Sequence, residues 1–573
     1  MPQLRDAPVP RRVLVAFGLA AVALYAPLVG WGLPHANAAD RTKTWATDEI
    51  LPLEGLAEMR STFLSPAPDR NFGYPLWHYF VVSAAQAPYL GGLYLSGGLE
   101  APSASFPFGL RDPVRALEVL TVIGRLVSVA MAAGIVIASC LFAGTLFGHR
   151  AGVVAAALTL TSFPLVYYGR TGNLDVPALF WSALGFVVLA RMLFDGASAR
   201  RAAWLGLFAA LAVATKDQAV ALFVPVCVAP FVPGFAPPRD TGGRARAFAV
   251  FVGCGLAAYV AATGMLIDPR RHLAHLEALL FAPQSLTSAD AYFSPAPSTL
   301  AGTWTLAAAS ATGLAQWYTW PVLLAAAAGF ILAVRRDRRH ALWLLPLVVT
   351  FLAVVRPVGV AVLRYYLPMT LFVDAFAALA LVRLAAIGAA PYRLAVAALV
   401  ALRLAMGLDL SYAQWHDTRY AAGEWLRARL RPDERIEYFG VTDKLPALAA
   451  ATSSRRVLGR ERWLGERGPG AAMRRDLADD GPELLIVIPD WTSGSGREHS
   501  ADCPPEVYAA LLDGSAGYEL VAHFPPPTLV ARPFGRARLD SPSVAPPVRI
   551  FARATRTTGG EPSPPAGADG RAR

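Results

Sequence analysis

The sequence predicts an all-α polytopic membrane protein of about eleven transmembrane helices, with a small C-terminal α/β domain on its extracytoplasmic side. Three observations carry this. Apolar residues come in blocks of roughly 15–22 with few charges, enough to cross a hydrocarbon core of about 30 Å. The short connections that alternation puts on one side are all basic. After about residue 412 the apolar blocks stop and the composition becomes that of a soluble domain. The chain is 55% hydrophobic and 16% charged, with a mean hydropathy of +0.42, where a soluble protein carries about a quarter charged residues. Inside lipid every backbone N–H and C=O must be satisfied within the chain, which blocks of Ala, Leu, Val and Gly achieve as helices.

The first element follows Arg11 and Arg12. A secretory signal would have the same basic start and a small-residue stretch such as "ANA" before Ala39, but its apolar core spans only about 7–15 residues. The run here is about 20, so the expectation is an uncleaved helix with a cytoplasmic N-terminus. A Pro-, Gly- and aromatic-rich segment, 34–114, then forms a long first extracytoplasmic loop. Apolar blocks follow at about 117–147, 151–169, 174–194, 202–215, 217–235 and 247–267. A second polar segment, 268–312, precedes blocks at about 314–334, 341–357, 365–386 and 392–411.

With the N-terminus inside, the cytoplasmic connections are "GHR" (148–150), "ASARR" (197–201), "PPRDTGGRAR" (237–246), "RRDRRH" (335–340) and "PYR" (391–393). The segments 34–114 and 268–312 then lie outside, with everything after about 412. Dividing 202–235 into two short spans decides this, because joining them reverses every later loop. In the last part, "TRYAAGEWLRARL" (418–430) has helical spacing, while "ELLIVIPD" (483–490) and "PPVRIFARA" (546–554) read as strands. The domains expected are therefore a transmembrane domain 1–412, an α/β extracytoplasmic domain 413–555 and a disordered, Pro/Gly-rich tail 556–573.

Composition excludes several functions. Cys140, Cys227 and Cys254 fall in apolar blocks and Cys503 stands alone, which gives neither a disulfide framework nor metal-ligand spacing. The net charge is +11, but the arginines sit at the ends of apolar blocks rather than in a basic stripe with interleaved aromatics, so nucleic acid is not the partner.

The residues able to carry chemistry gather at the outer ends of spans. "TWATDEILPLEGLAEM" (44–59) sets Asp48 and Glu49 side by side, then places Leu53, Leu56 and Met59 at the spacing of an amphipathic surface helix. By itself the acid pair reads best as a favourable charge at a helix start. "NFGYPLWHYFVVSAAQAPY" (71–89) opens a second amphipathic helix with Tyr74 and His78, the latter reading as an interfacial residue rather than a ligand. Asp175 stands at the mouth of the fourth span, Lys216 beside Asp217 between two short spans, and Arg364 at the end of another; Arg125 and Arg170 lie near span ends. Charges at membrane depth are expensive and are functional candidates by default. The plainer readings are that Arg364 snorkels to the interface and that Lys216 pairs with Asp217.

The order DE after the first span, N-x-x-Y-P, L-D-V-P, A-T-K and R-Y-Y-L-P resembles polytopic glycosyltransferases of the GT-C superfold, in particular the protein O-mannosyltransferase and aminoarabinose lipid A transferase group. The resemblance covers about residues 12–440, and "DTRYAAGEWLRARLRPDERI" (417–436) resembles the join to the outer domain in bacterial members. It implies a GT-C-like fold and a sugar donor on a polyprenyl phosphate, with an extracytoplasmic acceptor that is a protein, a lipid or a cell-envelope glycan. It implies Asp48 as the base, Glu49 as its helper or as a ligand with Asp48 to a divalent ion, and Asp175 as a supporting acid. Lys216, Arg364, Arg125 and Arg170 become the expected contacts of the donor phosphate, with Tyr74 and His78 in the substrate loop. One departure stands out: aminoarabinose transferases carry a Lys-Pro-Pro-type motif where this chain has "GYPLW", so Tyr74 replaces a cation and lipid A is a weaker expectation as acceptor. A bacterial inner membrane is the expected location. Two rival readings share the residues: a secondary transporter, for which no internal repeat is visible, and a non-catalytic cell-envelope assembly protein of the same fold.

Overall fold

The computed structural model describes residues 9–34, 43–64, 74–103, 106–235, 241–281, 296–384, 388–431, 434–440, 444–447, 453–455, 469–489, 493, 498–529 and 544–554. The expected disordered tail lies outside the described residues. Among these, six helices are long and apolar enough to span a bilayer, or up to seven if a bent pair is counted as one span, and the chain is a multi-pass membrane protein.

The membrane part runs α1 (Arg11–Tyr25), α2 (Glu54–Phe63), α3 (Trp77–Leu95), α4 (Pro113–Phe147), α5 (His149–Leu160), α6 (Phe163–Tyr168), α7 (Asp175–Asp195), α8 (Ala199–Val213), α9 (Val220–Phe223), α10 (Thr241–Ala262) and α11 (Pro269–Phe281). It continues with α12 (Leu300–Tyr318), α13 (Trp320–Arg336), α14 (Leu345–Thr350), α15 (Arg356–Val358), α16 (Met369–Leu384) and α17 (Ala389–Trp415). Several apolar blocks are not single helices, and the reasons are local. Block 217–235 holds Pro225, Pro230 and Pro233, each lacking an N–H and clashing with the preceding turn, and it folds as α9 flanked by 3-10 turns. Block 314–334 falls within the pair α12 and α13, which meet at 104°. The corner is Thr319, whose φ of 67° is sparsely populated for a β-branched residue, followed by Pro321 in the first turn of α13.

The centre of the bundle is α4, 35 residues long, begun by Asp112 accepting from the Arg115 amide with Pro113 in the first turn. Its Phe142 packs edge-on against Trp343 and Phe372, which also meet Phe186 of α7. α13 and α16 approach closely because Gly329 has no side chain: a Cβ there would lie 1.8 Å from the Phe376 carbonyl oxygen.

Beyond α17 come α18 (Thr418–Arg429), β1 (Ile436–Phe439), β2 (Ser453–Arg455), α19 (Pro469–Asp480), β3 (Leu484–Val487), α20 (Pro505–Leu512), β4 (Tyr518–Phe524) and β5 (Val548–Arg553). The strands form one sheet in the order β2-β1-β3-β5-β4. β1 pairs parallel with β2 and β3, while β5 runs antiparallel to β3 and β4. β1 and β3 are buried at every position, as expected of strands covered on both faces. This domain docks on the face that carries the first loop. Trp31 Nε1 donates to Asp417 at 3.0 Å, the Gly32 amide to the Tyr420 hydroxyl at 3.0 Å, and Trp45 Nε1 to the Leu445 carbonyl at 3.1 Å.

Candidate active site

The acid pair sits in a strap, residues 43–50, between α1 and α2. Asp48 has a φ of 53°, the left-handed region that few L-residues occupy and that Asp tolerates better than most. Its carboxylate meets the Arg364 guanidinium and is 47% exposed, against 2% for Glu49. The neighbouring acids therefore have opposite surroundings. Glu49 is gripped by Arg125, whose Nε and Nη2 each donate at 2.7 Å, one to each carboxylate oxygen. Thr44 Oγ1 and the Gly172 amide complete its shell. Arg125 also donates to the Val29 and Trp31 carbonyls, which fastens the end of the first span to α4. Asn173 Nδ2 donates to the Thr47 carbonyl at 2.6 Å, and the Ile50 amide to the Gly172 carbonyl at 3.3 Å. A strained residue persists only where its surroundings over-determine it, and here they do.

Both carboxyls titrate below the usual carboxylate range. Burial acts first on each and pushes upward. For Asp48 the Arg364 charge and hydrogen bond, then Lys216 and Lys444, outweigh it. For Glu49 the Arg125 pairing and the bonds from Thr44 and Gly172 do so.

Asp48, Glu49 and Arg364 line a cavity of about 1860 Å³. Its polar end also holds Glu54, Tyr74, Tyr79 and Lys444, and its long flank is apolar, with Phe223, Val228, Phe251, Leu256 and Val358 among the walls. Beside it a space of about 30 Å³, room for about one water, lies between Asp175, Lys216, Arg364 and Tyr365. Asp175 begins α7, and Lys216 Nζ donates to its Oδ1 at 2.6 Å. Lys216 is thus partnered by Asp175 and not by Asp217, which also lines the cavity and instead accepts from His275 Nε2 at 3.0 Å.

The remaining expected contacts separate. Tyr74 lines the cavity, and burial pushes its phenol above the ordinary range. His78 does not line it and is buried rather than interfacial; burial pushes its imidazole down to about 3, so it is neutral. Neither Arg125 nor Arg170 lines the cavity. Arg125 is occupied by Glu49, and Arg170 is turned into the bundle, donating to Ser411 at 3.0 Å and Gln414 at 3.2 Å on α17. Lys444, like Glu54 and Tyr79, is a cavity residue that sequence reasoning missed. It comes from the C-terminal domain, and only the docking of that domain brings it to the strap.

A divalent ion does not fit between Asp48 and Glu49. Both Glu49 oxygens are taken by Arg125, Asp48 is paired to Arg364, and a cation there would face Lys216 and Lys444 as well. Among the described residues no group of three or more His, Cys, Asp or Glu side chains converges as a metal site.

The arrangement suits a ligand with an anionic head and a long apolar body, presented to a carboxylate. No family model matches the chain, and no curated protein matches it in sequence. Solved structures similar to it include an ArnT, an archaeal oligosaccharyltransferase and an arabinofuranosyltransferase. ArnT from Cupriavidus metallidurans bound to undecaprenyl phosphate is 14% identical, covering 96% of this chain and 99% of that one with a TM-score of 0.44. The archaeal oligosaccharyltransferase AglB from Archaeoglobus fulgidus, in complex with an inhibitory peptide and a dolichol-phosphate, is 13% identical over 95% of this chain and 88% of its own, with a TM-score of 0.40. The arabinofuranosyltransferase AftD from Mycobacteria is 17% identical over 97% of this chain and 41% of its own, with a TM-score of 0.34.

Proposed function

We propose that this protein is a membrane glycosyltransferase that moves a sugar from a polyprenyl-phosphate carrier to an extracytoplasmic acceptor, with Asp48 as the base. One observation carries the reading: a half-exposed carboxylate, held by a strained strap, faces a guanidinium at the polar end of a large cavity with apolar walls. A polyprenyl-phosphate sugar has the matching form. Its isoprenoid chain lies against the apolar flank, its phosphate takes the planar fork of Arg364, and its sugar lies between phosphate and carboxylate.

In the reaction the acceptor hydroxyl attacks the anomeric carbon and the bond from that carbon to the phosphate oxygen breaks. The bonding pair leaves with the phosphate, whose charge Arg364 offsets, and the hydroxyl proton passes to Asp48. Donor binding also changes the base. Once Arg364 turns to the phosphate, Asp48 loses the partner that holds its pKa down and becomes more basic when a donor is present. Glu49 acts through the strap rather than on substrate. The Asp175–Lys216 pair stands behind Arg364 and supports its orientation. In this reading the N-terminus is cytoplasmic, and the cavity and the C-terminal domain face outward from a bacterial inner membrane.

The test is transfer by purified protein in lipid, supplied with a panel of polyprenyl-phosphate sugars and with acceptors of protein, lipid and glycan type. Wild type is expected to release polyprenyl phosphate stoichiometrically with glycosylated acceptor, and Asp48→Asn is not. Equal rates for the two proteins would remove Asp48 as base. Solute uptake into sealed vesicles without any transfer would replace the enzyme reading with transport.

A further inference from the structure

We propose that the C-terminal domain is a working part of the site, through Lys444, which positions the strap that presents Asp48. The inference rests on the glycosyltransferase reading for its kinetic consequence, but not for its structural one.

Lys444 Nζ lies 2.8 Å from the Trp45 carbonyl oxygen, 3.3 Å from that of Ala46 and 3.4 Å from that of Thr44. An ammonium has three donors and no acceptor, so three successive carbonyls are the partners it needs. The next residue holds the same strap from its other side, since the Leu445 carbonyl accepts from Trp45 Nε1. The indole is further fixed by Tyr420, whose ring centre is 4.8 Å away, and by the Arg419 guanidinium at 4.0 Å. Residues 44–46 are thus clamped by carbonyl and by ring, and Asp48 follows two positions later in its left-handed conformation.

A plain loop anchor would not need a cation. Burying an ammonium is costly, and an amide would satisfy carbonyls without that penalty. Lys444 is 3% exposed and lies in the wall it shares with Asp48 and Arg364. Its charge therefore acts on the carboxylate as well as on the backbone. The groups facing Asp48 are Arg364, Lys216, Lys444 and the Tyr74 phenol, with Asp175 behind Lys216. Arg364 leaves this set for the donor phosphate, whereas Lys444 is held in place by its carbonyls. Lys444, together with Lys216, then holds down the pKa of Asp48 during turnover, and it keeps the base from drifting by the fraction of an ångström that matters in proton transfer.

The experiment compares wild type, Lys444→Met and Trp45→Phe in lipid nanodiscs, reading amide exchange over residues 44–50, the melting midpoint, and kcat and KM as a function of pH. Lys444→Met is expected to speed exchange of the strap amides about tenfold with the melting midpoint little changed. It should lower kcat by about 10²-fold, leave KM for the donor near its wild-type value, and move the acid limb of the kcat profile to higher pH. Trp45→Phe, which keeps an aromatic ring but loses the indole N–H bonded to the Leu445 carbonyl, should speed strap exchange less and leave the acid limb in place. Unchanged strap exchange in Lys444→Met overturns the proposal, as does a raised donor KM with kcat and pH profile intact, the signature of a phosphate contact. If Lys444→Met melts as a whole, Trp45→Phe decides through strap exchange. If wild type transfers no sugar from any donor, the glycosyltransferase reading falls, and exchange still decides whether Lys444 holds the strap.

Discussion

Two aspartate–arginine pairs in this chain have the same chemistry and different surroundings. Asp374 and Arg403 meet at 2.6 Å in the bundle, both fully buried, with Thr159 donating to the other carboxylate oxygen and the Leu158 carbonyl accepting from the same arginine nitrogen. Both stand on regular helices. Asp48 and Arg364 meet at the edge of a cavity, one on a strained strap and the other in a 3-10 turn. Neither member of the first pair lines the large cavity, while the second pair borders on a space large enough for a ligand that competes for the arginine. Ionic pairing alone therefore does not identify a site in a membrane protein. What distinguishes one is a partner that a ligand can displace.

The comparison breaks or sharpens on substitution. The largest effect is expected from Asp48→Asn, which keeps a residue tolerant of the left-handed backbone and removes the base. It should lower kcat by about 10²–10⁴-fold at an unchanged melting midpoint. Next is Arg364→Ala, expected to lose about 10²–10³-fold in kcat with part restored by lysine. A loss confined to stability would make this pair equivalent to the buried one. Asp374→Asn should do the reverse: leaving Arg403 buried and unpaired costs about 3–5 kcal/mol of stability, while activity per folded molecule is retained. Arg170→Met belongs with it, lowering the melting midpoint and sparing donor KM.

Acid is a milder probe. Glu49 titrates lower when folded than its ordinary value of 4.5, so the unfolded chain takes up the proton first. Its contribution to stability is complete above that value and is lost as pH falls through the folded pKa. The melting midpoint should hold between neutrality and about pH 5, then fall below it, and Glu49→Gln should flatten that fall. The smallest effect is expected at Tyr74→Phe, about two- to tenfold in kcat, the worth of one hydrogen bond. A larger loss there would make the phenol part of the chemistry.

Much of this was legible in the sequence. The apolar blocks, the acids at 48 and 49, and the strands near 484–487 and 548–553 follow from periodicity and composition, which are local. What failed needed tertiary knowledge. Arg125 lies on α4, which is apolar nearly all round, and Arg170 lies in the turn between α6 and α7, so nothing local says that the first faces the strap and the second faces α17. Lys216 has an acid as its neighbour in sequence and another across the fold, and the fold selected Asp175. The prolines of 217–235 were visible, but an apolar composition outweighed them in the reading of a span, whereas backbone geometry decides the helix. Lys444 had no signal because its partners are 400 positions away.

That distance has a consequence for biosynthesis. The strap is synthesised early, and the residue that clamps it leaves the ribosome only after the helices of the bundle have been made. A nascent chain, or one truncated before residue 444, has the acid but not the clamp. The order of synthesis thus leaves the strap to be clamped last, when the C-terminal domain has folded onto it.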